Sequence, residues 1–244
     1  MSAPPTLHGG HFEAMGTVVS LAAPAPLPAG RQKALAAEFE RLEALFSMYR
    51  PDSEAARVGR GTLDVRDASD EYRDALQLAL DWQQATDGAF TPFAPDGTVD
   101  LTGVVKALAV ESAAGLLVDV PDWSVNVGGD ALVAGRAGGR PWVAGIVDPF
   151  DRGRLLTKCV LDEHRAVATS GVAERGEHVW RRDEHFAQVS VVADDIVTAD
   201  VLATAILAGG PATLDLAVAR WPVAVIAIAR DGAIRATDAF RRAA

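Results

Sequence analysis

A single cysteine, an excess of acid over base and no visible leader set the first limits on this 244-residue sequence. With Cys159 alone, no intramolecular disulfide can form and a thiolate metal site has too few ligands. Lysine and arginine number 23 against 33 aspartate and glutamate, a formal net charge of -10. An acidic surface repels phosphate backbones and anionic lipid, which argues against nucleic-acid or peripheral membrane partners. It leaves a phosphate ligand open, since a divalent cation and a few local donors can hold one on an acidic protein. The opening MSAPPTLHGGHFEAMG lacks a basic start followed by an apolar run, and no cysteine lies near it. Neither a secretory signal nor lipid anchoring there is expected, so the cytoplasm is the expected compartment. No apolar run is read as long enough for membrane insertion. GxSxG, Walker A, HExxH and GxGxxG motifs are all missing, which removes support for serine-hydrolase, P-loop, zincin and classical dinucleotide-fold chemistry.

What is present suits one large domain or two closely packed lobes, with 49% hydrophobic residues to fill a core. Residues 11–23 read as a strand broken at Gly16. Helical spacing marks 31–48, where Leu35, Ala36, Phe39, Leu42, Leu45 and Phe46 recur, and Pro51 and Asp52 stop it. A second helix spans 69–85, with Ser69 or Asp70 as its N-cap. A mostly buried helix is expected over 102–117, and strand, Gly-Gly turn and strand over 123–135. Strands follow at 141–147, 165–169 and 186–193, then helices at 198–208 and 211–220, and a last hairpin around Asp231-Gly232. Residues 1–10, 51–68 and 150–163 read as the least ordered. Helices mix with antiparallel hairpins without a βαβ rhythm, so the expected class is α+β.

Five short segments could carry chemistry, and each has a plainer alternative. Asp100-Leu-Thr-Gly-Val-Val-Lys106 opens a helix whose free N–H groups suit an anion, with Lys106 one turn in; equally, it is an ordinary helix start with a solvated lysine. Asp200 and Thr204 are four apart and share a helix face, a carboxylate and hydroxyl suited to Mg²⁺ or Ca²⁺. Alternatively, Asp200 complements the helix dipole and Thr204 bonds back to its own helix. Asn126-Val-Gly-Gly-Asp130 either admits a ligand close to the backbone or makes a hairpin turn. Ala168-Thr169-Ser-Gly171 either donates to an anion or forms a serine/threonine turn. His178 is either a general base or one more of five histidines.

In order along the chain, these segments resemble the FAD:protein FMN transferase family, the ApbE-like flavin transferases. Ala14-Met-Gly-Thr17 resembles that family's opening motif, and Ser47-Met-Tyr-Arg-Pro-Asp-Ser-Glu54 its next segment. Gly88-Ala-Phe-Thr91 resembles Gly-x-Phe-Asp with threonine at the last position. Asp100 to Lys106 resembles Asp-Leu-Gly-x-Ile-Ala-Lys-Gly, with Ala107 in place of the final glycine. Segments 126–130, 168–171 and 199–204 follow in family order. The resemblance implies a bilobed α+β architecture related to the tunnelling fold over residues 1–244, with FAD in a cleft between the lobes. It implies that FMN is moved from FAD onto a threonine or serine of a target flavoprotein. By position, the Mg²⁺ ligands would be Asp200, Thr204 and the Gly103 carbonyl. Met15, Tyr49, Ala89, Phe90, Thr91, Asp100, Lys106 and Thr169 would line the FAD site, and His178 would activate the acceptor hydroxyl. The chain departs from the family after His178, where the Asp-Pro-x-Thr-Gly turn is missing. Two alternatives follow: an FAD-binding protein without transfer, or a Mg²⁺-dependent FAD pyrophosphatase releasing FMN and AMP.

Overall fold

The first apolar stretch folds as a hairpin, not as one broken strand. Strand β1 (His8–Ala14) reverses at Met15-Gly16 into β2 (Thr17–Ala23), and Ala14 pairs with Thr17. Both turn residues have positive φ, 52° and 70°. A two-residue hairpin loop asks for that left-handed pair because its twist then matches the strands. The computed structural model describes residues 5–162, 165–171 and 183–244.

Helix α1 (Arg31–Phe46) buries Leu35, Phe39, Leu42 and Phe46, while Ala36 and Leu45 of the expected apolar set are half-buried. Serines start the next two helices. Ser53 caps α2 (Glu54–Gly59) by accepting the Ala56 N–H, and Ser69 caps α3 (Asp70–Ala85) by accepting the Tyr72 N–H. The stretch 51–68, expected to be poorly ordered, thus holds a short helix and a 3₁₀ turn at Val65–Asp67. Helix α4 (Thr102–Gly115) is mostly buried, as its apolar composition requires.

Strands β3 (Trp123–Val127) and β4 (Asp130–Ala134) form the expected Gly-Gly hairpin. Next come β5 (Trp142–Asp148) and β6 (Asp151–Leu161), the latter an 11-residue strand where little order was expected. Its first five residues are exposed, and only Cys159 and Leu161 are buried, so little alternation advertises it. Strands β7 (Ala166–Gly171) and β8 (Phe186–Ala193) lead into α5 (Ile196–Arg220), then β9 (Ala224–Ala229), β10 (Ile234–Ala236) and a short final helix α6 (Asp238–Ala243).

The main sheet runs β1-β2-β3-β4-β7-β8-β9-β10, antiparallel throughout, with β5-β6 as a separate hairpin. Every residue of β8 and β9 is buried. Continuous apolar strands are what a sheet covered on both faces requires. Alternation divides them: Val189, Val191, Val225 and Ala227 face a core shared with α1, α3, α4 and α5. Val192, Ala224, Ile226 and Ile228 face a smaller core closed by Trp142, Ile146, Cys159 and Phe240. The α+β class expected from the sequence holds.

Helix α5 corrects one expectation. By length and a mean hydropathy of 1.7 it could cross a membrane. Here it is a core helix, buried from Ile196 through most of its first half against β7, β8 and α4. Its apolar length serves the interior of this sheet, and Gly210, with φ 70° and ψ -157°, breaks it before Pro211.

Burial pushes the Cys159 thiol up to about 11 from an ordinary value of 9.0. Ionisation is therefore harder in the fold than in the unfolded chain. The stability this contributes is complete below pH 9 and is lost as pH rises through about 11. Native protein at pH 8 should resist a thiol alkylator that labels the denatured chain fully, read by mass; rapid native labelling would contradict this burial.

Candidate functional site

Two helix starts converge on the face of β4 and β7. Helix α4 opens without a side-chain cap at Leu101; instead Asp100 Oδ1 accepts the Thr102 N–H at 2.9 Å. Helix α5 is capped by Asp195, which accepts the Thr198 N–H at 2.7 Å. One turn into each, Lys106 Nζ lies 3.9 Å from Asp200 Oδ1. The same ammonium forms an ion pair with Asp130 Oδ2. Asp200 is 0% exposed, Asp130 1% and the Lys106 side chain 15%. Among the described residues, two buried carboxylates thus flank one ammonium.

Burial raises the Asp130 carboxyl above the ordinary carboxylate range; Lys106 opposes the rise and the Asp200 charge adds to it. Asp130 Oδ1 accepts the Thr169 N–H at 2.8 Å, and Thr169 Oγ1 meets Ser190 Oγ at 2.8 Å. Ser170 Oγ meets Thr204 Oγ1 at 3.0 Å. Strand β7 is thereby tied to Asp130 on one side and to α5 on the other.

Gly103 and Phe90 pack against each other. A Cβ on Gly103 would stand 2.8 Å from Phe90 Cε2, and Phe90 is itself buried. Ala89 reaches the same region from below α5, 3.0 Å from where a Cβ on Gly209 would be. Thr91 Oγ1 accepts from Gln83 Nε2 at 2.9 Å and from the Phe93 N–H at 3.2 Å. The Met15 turn abuts the Gly128-Gly129 turn, since a Cβ on Gly128 would meet Thr17 Oγ1 at 2.8 Å. The Met15 N–H bonds Glu43 Oε2 at 3.1 Å, and around this turn lies a hollow of about 440 Å³. Tyr49 is 81% exposed on the turn after α1. His178 lies outside the described residues.

The structure thus joins Lys106, Asp200, Thr169 and Thr204 through direct contacts or one intermediary, and packs Phe90 on Gly103. No such contact carries Tyr49 to them among the described residues. A larger hollow of about 820 Å³, between β1 and the start of α1, contains none of the expected site residues. The sequence presents Asp130 only as part of a glycine motif, not as a site residue. The signal was available: a carboxylate directly after two glycines opens the apolar strand Ala-Leu-Val-Ala, where a buried charge needs a partner.

Carboxylate, hydroxyl and main-chain carbonyl are oxygen donors, and such a set fits a hard divalent cation. Among the described residues no group of three His, Cys, Asp or Glu side chains could hold a metal. Coordination at Asp200 therefore needs main-chain, hydroxyl or ligand oxygens as well.

Comparison with known proteins bears on the family and the fold. The family described as ApbE matches residues 15–96 and 93–227. A protein of Rhodobacter capsulatus called FAD:protein FMN transferase is 31% identical over 163 residues, 60% of this chain and 31% of the relative. The chain thus spans about a third of that relative's length. Among solved structures, the ApbE protein of Thermotoga maritima superposes with a TM-score of 0.82 at 20% identity, covering 98% of this chain and 99% of that one. The flavin transferase ApbE of Vibrio cholerae gives 0.78 at 21%, over 98% and 100% of the chains. The flavinyl transferase ApbE of Pseudomonas stutzeri gives 0.80 at 19%, over 100% and 99%. At these identities the superpositions establish a common fold. With the family's pattern running from Met15 to Ala227, the chain belongs to the ApbE family.

Proposed function

We propose that this chain is a Mg²⁺-dependent FAD:protein FMN transferase acting on a threonine or serine of a target flavoprotein. The observation that carries the reading is the approach of Lys106 to Asp200, which brings the starts of α4 and α5 to one buried point. The name of the Rhodobacter relative supports it. Asp200, Thr204 and the Gly103 carbonyl would hold the metal. When bound there, Mg²⁺ would supply positive charge against the diphosphate. Lys106 supplies a further positive charge one turn into α4, beside helix N–H groups that suit a phosphate. Asp100, Phe90, Ala89, Thr91, Met15, Tyr49 and Thr169 would complete the FAD site. Phe90 fixes the first turn of α4 because the absent Cβ of Gly103 lets its ring lie against the backbone.

In the transfer itself, the acceptor oxygen forms a bond to the FMN phosphorus. The anhydride P–O bond breaks and AMP leaves with the bridging oxygen. The acceptor proton goes to a base, the role assigned to His178 by family position. Full-length protein, FAD, Mg²⁺ and a flavoprotein acceptor domain should yield an acceptor heavier by one FMN. An acceptor of unchanged mass after full AMP release would replace transfer by pyrophosphatase chemistry. FAD retained with no AMP would favour the binding-only reading, which the missing Asp-Pro-x-Thr-Gly turn motivates.

A further inference from the structure

Met15 takes a backbone conformation that its side chain does not favour. It is the first residue of the two-residue loop between β1 and β2, with φ 52°. Glycine, asparagine and aspartate adopt this left-handed setting readily, and methionine there is strained. Something outside the loop must hold it. The Met15 N–H stands beyond the β1–β2 ladder, whose last pair is Ala14 with Thr17. It goes instead to Glu43 Oε2 on α1, at 3.1 Å and 28 positions away.

Glu43 lies one turn after Phe39 on the same face of α1. Phe39 meets the Phe12 ring edge-on, with centroids 5.6 Å apart. The end of β1 is thus fastened to α1 at two points, one apolar and one polar. Glu43 and Met15 line the same hollow of about 440 Å³. Beyond the turn, Thr17 abuts Gly128, and Gly128-Gly129 lead directly to Asp130, the ion-pair partner of Lys106. The hollow therefore adjoins the strand end that carries the candidate site.

We propose that Glu43 is a positioning residue for flavin binding: by accepting the Met15 N–H, it holds the turn in the left-handed setting in which Met15 lines the hollow. The inference rests on the reading of Met15 as part of the FAD site. Without the acceptor the turn populates other settings, and the apparent affinity for FAD falls with the fraction that keeps the competent one. A carboxylate charge offers no attraction to an anionic diphosphate, so acceptance of the hydrogen bond is the property that counts.

The test is the FAD affinity of the full chain with Mg²⁺ present, read from flavin fluorescence, beside AMP release at saturating FAD. Glu43→Met keeps the length and helix preference of the side chain and removes the carboxylate acceptor. It should weaken FAD binding about tenfold, the loss of one hydrogen bond to a charged acceptor. Its kcat should change less than about threefold, because binding and not chemistry is touched. Glu43→Gln keeps a carbonyl oxygen at the same reach and should restore FAD affinity to within about threefold of the wild type. Wild-type affinity in Glu43→Met overturns the inference, as does a Glu43→Gln no better than Glu43→Met, or a kcat that falls as far as the affinity. Should Glu43→Met fail to fold, Glu43→Asp, which keeps the charge and withdraws the acceptor by one methylene, must show the same weakening; wild-type affinity there overturns it. Met15→Gly, whose turn has no strain to hold, separates the two levels. FAD affinity unchanged in Met15→Gly removes Met15 from the FAD site, and with it this inference. Affinity lost in Met15→Gly but intact in Glu43→Met removes the inference alone.

Discussion

Asp200→Ala should lower metal-dependent FAD turnover by roughly 10³-fold, the loss expected when several kcal/mol of charge stabilisation disappear. The carboxylate is fully buried one turn into α5 and lies 3.9 Å from the Lys106 ammonium, so its charge acts where water screens it little. AMP release at saturating FAD and metal checks the loss. Turnover within a few-fold of wild type would end the assignment of Asp200 to the metal.

Gly210→Ala should produce the largest loss of stability among single methyl additions at the site's rear. Gly210 has φ 70° and ψ -157°, a region that only glycine occupies without strain. Its missing Cβ is replaced in space by the Asp183 carboxylate, whose atoms would collide with it. Asp183 cannot step aside cheaply, because its N–H bonds the Ala208 carbonyl at 3.0 Å and its Oδ1 accepts the His185 N–H at 2.7 Å. Backbone strain and overpacking together cost about 2–4 kcal/mol. For a chain of this size that is a fall in Tm of roughly 5–15 °C. Gly232→Ala is the control: φ is 87°, but no atom lies within 4 Å of its Cβ position. Its cost should stay near the strain alone, about 1 kcal/mol. Equal Tm losses for the two variants would show that the Asp183 contact contributes nothing.

Elements with a strong periodic signature were legible from the sequence. The spacing of Leu35, Ala36, Phe39, Leu42, Leu45 and Phe46 places α1 to within two residues, and of the two N-caps expected for α3, Ser69 or Asp70, Ser69 is the one that caps it. The strand β6 was not, since its outer half is exposed and charged and its pairing with β5 gives no local alternation. The hairpin at Met15 is hidden in the sequence because Met15 itself takes φ 52°, a conformation that methionine rarely adopts. At the candidate site, family order singles out Lys106, Asp200 and Thr204, which local chemistry alone leaves ambiguous, and the structure sets Lys106 3.9 Å from Asp200. What no sequence rule supplied was the partner of Lys106. Asp130 is 24 positions away and on another element, and only the sheet register that pairs Ala131 with Val167 sets it beside Thr169.

FAD titration with and without Mg²⁺, with AMP followed in the same samples, goes most directly to the heart of the matter. Mg²⁺ should tighten FAD binding and start AMP release, since the diphosphate and the buried Asp200 would then share one cation. FAD affinity indifferent to Mg²⁺, with no AMP formed, would contradict a metal-bridged diphosphate at the meeting point of α4 and α5.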